Sequence, residues 1–249
     1  MTGAWAFSGV TAAALHGVPL PPALDSKYRA LDVAVPDPRS APRADGIIGH
    51  RYDADSVKVV FLAGLPVMWS PDAWCQLAAV ISREDLVAAG DFLLSGDAWE
   101  GARRRPRCTI GQLSDAVRRY AGKRGARNLR WALSRLRPGV DSRPESLLRL
   151  LLVEAGVPEP VVHQAIDVAD GAITLHPDLV LVALGVVFEY QGDGHRGRDR
   201  YLSDIERNEL LRAAGWDVIE VTARDLFEDR EAFLARVFAI LRRHGFRAN

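Results

Sequence analysis

HPDLVLVALGVVFEYQ, residues 176–191, decides how the C-terminal half of this chain is read. Two short apolar runs, Asp178–Val182 and Val186–Gln191, flank a Leu184-Gly185 turn. Runs of this length, broken by glycine, point to two consecutive antiparallel strands. The turn centres near Ala183 and Leu184, so Asp178 and Glu189, five or six residues to either side, face each other across a regular hairpin. Cross-strand partners share a face, with Cβ atoms about 5 Å apart. Two carboxylates so placed repel unless a cation or a proton joins them, and oxygen ligands at this separation suit Mg2+ or Mn2+. Gln191 follows Glu189 by two residues, and strand alternation puts it on the same face. The bland alternative makes Asp178 the end of a turn with Pro177 and Glu189 an exposed strand residue. The neighbours LVLVA and VVF favour the functional reading, because an unpaired carboxylate beside such apolar runs is costly.

The flanks complete a domain over residues 142–249. Ser142 and Glu145 form an S-x-x-E capping box ahead of Leu147, Leu148, Leu150, Leu151 and Leu152, a helix stopped by Gly156 and Pro158. Val161–Val168 reads as a strand before a Gly171 turn and, with the hairpin, makes an antiparallel meander. Arg200–Ala214 reads as a helix ended by Gly215, Trp216–Val221 as a strand and Asp229–Arg243 as a final helix, which gives the order αβββαβα. Glu145 supplies a third acid if its helix end packs over the sheet. The capping box explains it equally well.

Upstream the pattern is mixed α/β over residues 1–100. Ser8–His16 reads as a helix stopped by Gly17, and Ala30–Val35, Ile47–Tyr52 and Lys58–Leu62 read as short strands. Two helices follow, one with Ser70 as N-cap and Pro71 in its first turn, the other opened by a Ser82/Asp85 box. His16 and His50 have no acidic or thiol partner at a telling spacing and read as structural or surface residues. Residues 101–141 read as a basic helical connector with helices over Thr109–Tyr120 and Ala126–Leu136.

Composition excludes several classes of protein. With 249 residues, 48% hydrophobic and 26% charged, the chain is neither disordered nor fibrous and fills one large domain or two modest ones. The longest apolar stretch, Leu179–Phe188, is about half the roughly 20 residues of a membrane-spanning helix. The N-terminus has neither the basic leader nor the long apolar core of a secretory signal. Cys75 and Cys108, 33 residues apart, form neither a disulfide framework nor a zinc motif, so a reducing, cytoplasmic setting is expected. The net charge of zero hides a strong segregation. Lys+Arg against Asp+Glu is 7 to 12 over residues 1–100, 13 to 2 over 101–143 and 12 to 18 over 144–249. A basic block between acidic ones points to a polyanionic partner such as a nucleic acid, with Arg103, Arg104, Arg105 and Arg107 as its densest part. A solvated helical face is the alternative.

Across PESLLRLLL, HPDLVLVALGVVFEYQGDGH and YLSDIERNELLRAAGWDVIEVT, about residues 142–228, the chain resembles the very-short-patch-repair endonuclease-like branch of the restriction-endonuclease-like superfamily. The shared motif of that superfamily is written PD-(D/E)-x-K. Pro177-Asp178 matches its first element and Glu189-Tyr190-Gln191 its second, with Gln191 standing where the motif has lysine. The lysines of the chain, Lys27, Lys58 and Lys123, all precede this domain. Residues 1–141 resemble the upstream region of actinobacterial proteins that join an abortive-infection antitoxin-like region to such a nuclease domain.

The resemblance implies a restriction-endonuclease-like fold with Mg2+ or Mn2+ held by Asp178, Glu189 and the Tyr190 carbonyl. Glu145 would position that ion or hold a second one. It also implies in-line attack of an activated water on a DNA phosphodiester, and a divalent ion can activate water without a lysine. Arg207 would lie near the scissile phosphate, and His195, in the Gly-flanked QGDGH turn, would act as general acid or phosphate contact. Read locally, His195 is equally an exposed loop histidine, and Asp204 with Arg207 equally a plain i,i+3 ion pair. The expected protein is a metal-dependent endodeoxyribonuclease of a defence or toxin-antitoxin setting, with DNA and a toxin or defence protein as partners and no organic cofactor. Its rival is an inactive DNA-binding antitoxin or transcriptional regulator on a nuclease scaffold. Gln191 favours the rival, whereas the intact acidic pair, which repels phosphate when empty, disfavours it. A protein-binding module of a defence system is the third reading.

Overall fold

A computed structural model describes residues 5–24, 30–96, 105–192 and 198–247, with side chains in the last segment from 205 onward. Arg103, Arg104, Asp193 and His195, and the side chain of Asp204, lie outside the described residues. The chain is mixed α/β and divides into two compact units, Met1–Arg143 and Pro144–Asn249.

In the first unit the elements are β1 (Ala6–Phe7), α1 (Gly9–Leu15), β2 (Leu31–Pro36), β3 (Ile47–Tyr52), β4 (Val59–Leu62) and β5 (Leu65–Met68). The helices α2 (Ser70–Leu77), α3 (Arg83–Ser95), α4 (Ile110–Arg119) and α5 (Ala126–Leu133) follow. The strands form one mixed sheet in the order β3-β2-β1-β5-β4. Strand β5 was not expected; Pro66 obscures its pattern. Ala63 and Gly64, at φ 48° and 82°, form the two-residue link that pairs it with β4. Ser70 is not the N-cap of α2. Trp69 holds that place, and Ser70 and Pro71 form the first turn. Ser82 caps α3 as expected, its Oγ accepting from Asp85 N at 3.0 Å.

The basic segment read as a connector between domains is part of the first unit, to which α4 and α5 belong. Leu113, Ala116 and Val117 of α4 and Ala126, Leu129 and Ala132 of α5 are buried at helical spacing, so each helix docks one face and leaves its basic residues on others. Arg119 points inward. Its Nη2 donates to Asp72 Oδ1 at 2.7 Å and its Nε to Ser56 O at 3.0 Å. The guanidinium groups of Arg83 and Arg135 each lie over the ring of Trp131 of α5, at 4.3 and 4.1 Å from its centroid.

The two histidines of this unit have the structural settings expected of them, with one partner that spacing did not show. Buried His16 places Nε2 2.8 Å from Met68 O, and burial pulls its pKa down. His50 Nε2 lies 2.9 Å from Asp32 Oδ1, a pairing created by the parallel register of β2 and β3. Both cysteines are buried free thiols, and burial pushes both pKa values up.

In the second unit, α6 (Arg143–Glu154) precedes β6 (Val161–Val162), β7 (Ile166–Val168), β8 (Ile173–Leu175) and β9 (Leu179–Leu181). A single 3-10 turn, Val182–Leu184, leads to β10 (Val186–Gln191), followed by α7 (Arg198–Ala213), β11 (Asp217–Thr222), α8 (Ala223–Phe227) and α9 (Arg230–Arg243). The main sheet has the order β11-β10-β9-β6, with β10 and β11 parallel and the other pairs antiparallel. The strand expected over Val161–Val168 is in fact two. His163 at φ 47° turns the chain after β6, and β7 leaves the sheet to pair with β8, which was not expected. The short helix α8 was also unexpected; it is built on a Thr222/Asp225 capping box.

Alternation along β10 lets the sheet serve two cores. Val186 and Phe188 join Leu148, Leu152, Phe233 and Val237 in one, while Val187 joins Val180, Leu211 and Val218 in the other. Glu189 and Gln191 continue the parity of Val187, and Asp178 that of Val180. Among the described residues no helix is long and apolar enough to cross a membrane.

Candidate metal and phosphodiester site

The β9–β10 register places the two acids opposite each other. Val186 pairs with Leu181, Val187 with Val180 and Phe188 with Leu179, so the next step along the same register sets Glu189 against Asp178. Gly185, at φ 62°, closes the link between the two strands without a Cβ penalty. Beyond Phe188 a side chain takes over the ladder, as Tyr190 N donates to Asp178 Oδ2 at 2.7 Å. On the other side His163 N donates to Asp178 O at 3.2 Å.

Glu145 enters from the first turn of α6, where it is only 6% exposed. Its Oε2 is 3.3 Å from His163 Nε2. One ligand atom from each of Glu145, His163 and Asp178 lies within 4.8 Å of the others, a spacing that a single ion can bridge. Arg207 of α7 reaches the same place. Its Nη2 is 3.1 Å from Glu189 Oε1, and it also donates to the His176 carbonyl. The ion pair with Asp204 considered from spacing involves a side chain outside the described residues; the partner seen here is Glu189.

The electrostatics match the geometry. Asp178 is held above the ordinary carboxylate range, first by burial and then by the Glu145 charge, against the opposing Tyr190 hydrogen bond. Glu189 is raised too, by burial and then by the Asp178 charge, and Arg207 offsets only part of this. Among the described residues the buried Glu189 Oε1 and Arg207 Nε have no partner in hydrogen-bonding geometry. Acids that resist ionising together, beside an imidazole, form a donor set that fits a divalent cation.

Of the residues expected in the site, Asp178, Glu189, Glu145 and Arg207 come together. Gln191 ends β10, half-buried and in register with Thr222 of the parallel strand, on the same strand face as Glu189. His195 lies outside the described residues. Arg105 and Arg107 are exposed residues of the first unit, with Arg107 N donating to Leu93 O at 2.8 Å. His163 was missed because it sat inside a run read as one continuous strand. A lone imidazole interrupting VVHQAI is the signal that marks it.

No protein-family model matches the chain. It is similar to two proteins of Mycobacterium tuberculosis, each described as an uncharacterized protein: MT2308 of strain CDC 1551 / Oshkosh and Rv2248 of strain ATCC 25618 / H37Rv. Identity to each is 26% over 143 residues, covering 55% of this chain and 51% of the relative. The chain thus matches about half the length of these curated relatives.

Proposed function

We propose that the second unit is a metal-dependent endonuclease that hydrolyses DNA phosphodiester bonds on a restriction-endonuclease-like scaffold. The observation that carries this reading is the pair of opposed carboxylates, Asp178 and Glu189, ringed by Glu145, His163 and Arg207. Nothing in a purely structural strand pair calls for two mutually repelling acids at this place. Asp178 and Glu189 would hold the divalent ion, with Glu145 beside them. When bound, that ion supplies acidity to a coordinated water and offsets negative charge on the phosphate. Tyr190 N fixes the Asp178 carboxylate in place. Arg207, already paired with one acid and with the His176 carbonyl, stands where its guanidinium would neutralise charge developing on a phosphate oxygen. A cytoplasmic defence or toxin-antitoxin setting, with DNA and a toxin or defence protein as partners, accords with this reading.

Gln191 keeps the regulator reading in view, since a neutral amide stands where the resembled motif carries a cation. In an active enzyme the amide need only orient water or phosphate by hydrogen bonds. Gln191→Ala then lowers the rate of plasmid nicking by about 10²-fold or less, typical of one lost stabilising donor. Gln191→Lys gives faster nicking, because the added ammonium restores the motif's cation. A wild type that binds DNA but is inert with both Mg2+ and Mn2+, beside a Gln191→Lys variant that cleaves, would replace the enzyme by the regulator.

The basic segment belongs to the same proposal as a phosphate-binding surface. Replacing Arg103, Arg104, Arg105 and Arg107 together with Gln is expected to weaken DNA binding for all sequences alike. It should also flatten the log–log salt dependence by about 0.9 for each phosphate no longer neutralised. Fluorescence anisotropy over a salt series reads this directly, and an unchanged slope would make these residues a solvated surface.

A further inference from the structure

We infer that the site takes a transition-metal ion such as Mn2+ in preference to Mg2+, because His163 contributes an imidazole nitrogen to the ligand set. This rests on the metal-site reading above and adds to it the identity of the ion.

The argument starts from how His163 is held. It sits at the break between β6 and β7, in the left-handed region at φ 47°, with its backbone N–H committed to Asp178 O at 3.2 Å. Its backbone is thereby anchored to the residue whose carboxylate it would share an ion with. A non-glycine residue at positive φ is uncommon, and such strain gathers where a side chain must be aimed. The imidazole is aimed at the acids. Its Nε2 is 3.3 Å from Glu145 Oε2, and together with Asp178 these residues offer one atom each within 4.8 Å. A histidine–carboxylate contact alone would explain the first distance. It does not explain why a second carboxylate, Asp178, closes the same triangle, with Glu189 opposite it on the next strand.

Ligand chemistry then selects the ion. Mg2+ demands a tight octahedron of oxygens and keeps several waters, whereas imidazole nitrogen is a ligand for later first-row divalent ions. Mn2+ accepts carboxylates and imidazole together, and at a mixed nitrogen and oxygen site the divalent series strengthens from Mn2+ onward. An all-carboxylate site would leave Mg2+ and Mn2+ closer in affinity.

The test uses the full chain and Mn2+ and Mg2+ as probes. Calorimetry on the wild type is expected to show Mn2+ bound at least about 10-fold more tightly than Mg2+. Pulsed electron paramagnetic resonance of the Mn2+ complex should show coupling to a histidine nitrogen. In His163→Gln that coupling disappears and Mn2+ affinity falls by about 10-fold or more, comparable with losses caused by disturbing a metal's ligand shell, while Mg2+ affinity changes little. His195→Ala keeps the coupling. The wild-type spectrum needs no variant, so a poorly folded His163→Gln protein would not rescue the inference. Mn2+ bound without nitrogen coupling, or with coupling that His195→Ala removes, overturns the role of His163 and leaves the metal site standing. Absence of any divalent binding overturns the metal-site reading itself.

Discussion

Asp178→Asn is expected to cleave no DNA and, without metal, to melt at a higher temperature than wild type at about pH 8. Both effects come from one arrangement. Asp178 and Glu189 face each other from adjacent strands, and burial together with mutual repulsion holds both above the ordinary carboxylate range. The native state therefore binds protons at these sites more tightly than the unfolded chain does. Stability from this source is fully present below the ordinary carboxylate pKa of about 4 and is lost as pH rises through the raised values. An amide carries no charge to bury, and its oxygen still accepts the Tyr190 N–H that Asp178 Oδ2 now accepts at 2.7 Å. The variant should gain on the order of 1–2 kcal/mol over wild type at about pH 8 and nothing at about pH 4. Saturating divalent metal should reverse the order, because only the wild type binds it well and gains the linked stabilisation. Paired melts at the two pH values, with and without Mn2+, measure this, alongside plasmid nicking with an expected loss of at least about 10³-fold. A variant no more stable than wild type at the higher pH would show that the acids are not in conflict.

Trp74→Ala is expected to destabilise the first unit by about 3–5 kcal/mol, the range for truncating a large buried aromatic residue. Trp74 is 1% exposed, and its Nε1 donates to Leu86 O at 2.8 Å. It rests on Gly90 of α3, where an added Cβ would come within 3.3 Å of Trp74 Nε1 and 2.5 Å of Leu136 Cδ2. The indole is thus fitted to a place where one helix has no side chain. Gly90→Ala probes the same seam from the opposite side and should cost about 1–3 kcal/mol through overpacking. Urea unfolding of both variants measures the two values, and a loss below about 1 kcal/mol for Trp74→Ala would mean that the seam collapses freely. Glu145, His163, Asp178 and Glu189, the residues proposed to hold the ion, all lie in the second unit, so a Mn2+ titration of each variant serves as a control on that unit.

What was legible in the sequence is what short-range periodicity determines. The Asp178–Gln191 hairpin, strand Ile47–Tyr52 and the Ser82 cap depend on residues a few positions apart, and the structure has all three. The opposition of Asp178 and Glu189 was legible because register follows from turn length, a local quantity. What was not legible depends on distant partners. Nothing near His163 announces that Glu145, eighteen residues earlier, will face it. The spacing of Leu129, Leu133 and Leu136 already points to one packed face on α5, but that α4 and α5 join the first unit depends on distant partners. Spacing left Arg207 either its helix neighbour Asp204 or a phosphate as partner, and did not show the tertiary contact with Glu189 of the sheet.

The turn Val182–Gly185 holds no residue of the site, yet it sets whether the site exists. Side chains alternate with a period of two, so adding or removing one residue there would turn Glu189 to the other side of the sheet while leaving every ligand in the sequence intact. Among descendants of this gene, loop length here would thus be inherited with the acids. A lineage that kept Asp178 and Glu189 but changed the spacing by one would have kept both acids and lost their opposition. Spacing between the two acids is therefore a better guide to which homologues retain the centre than the presence of the acids alone.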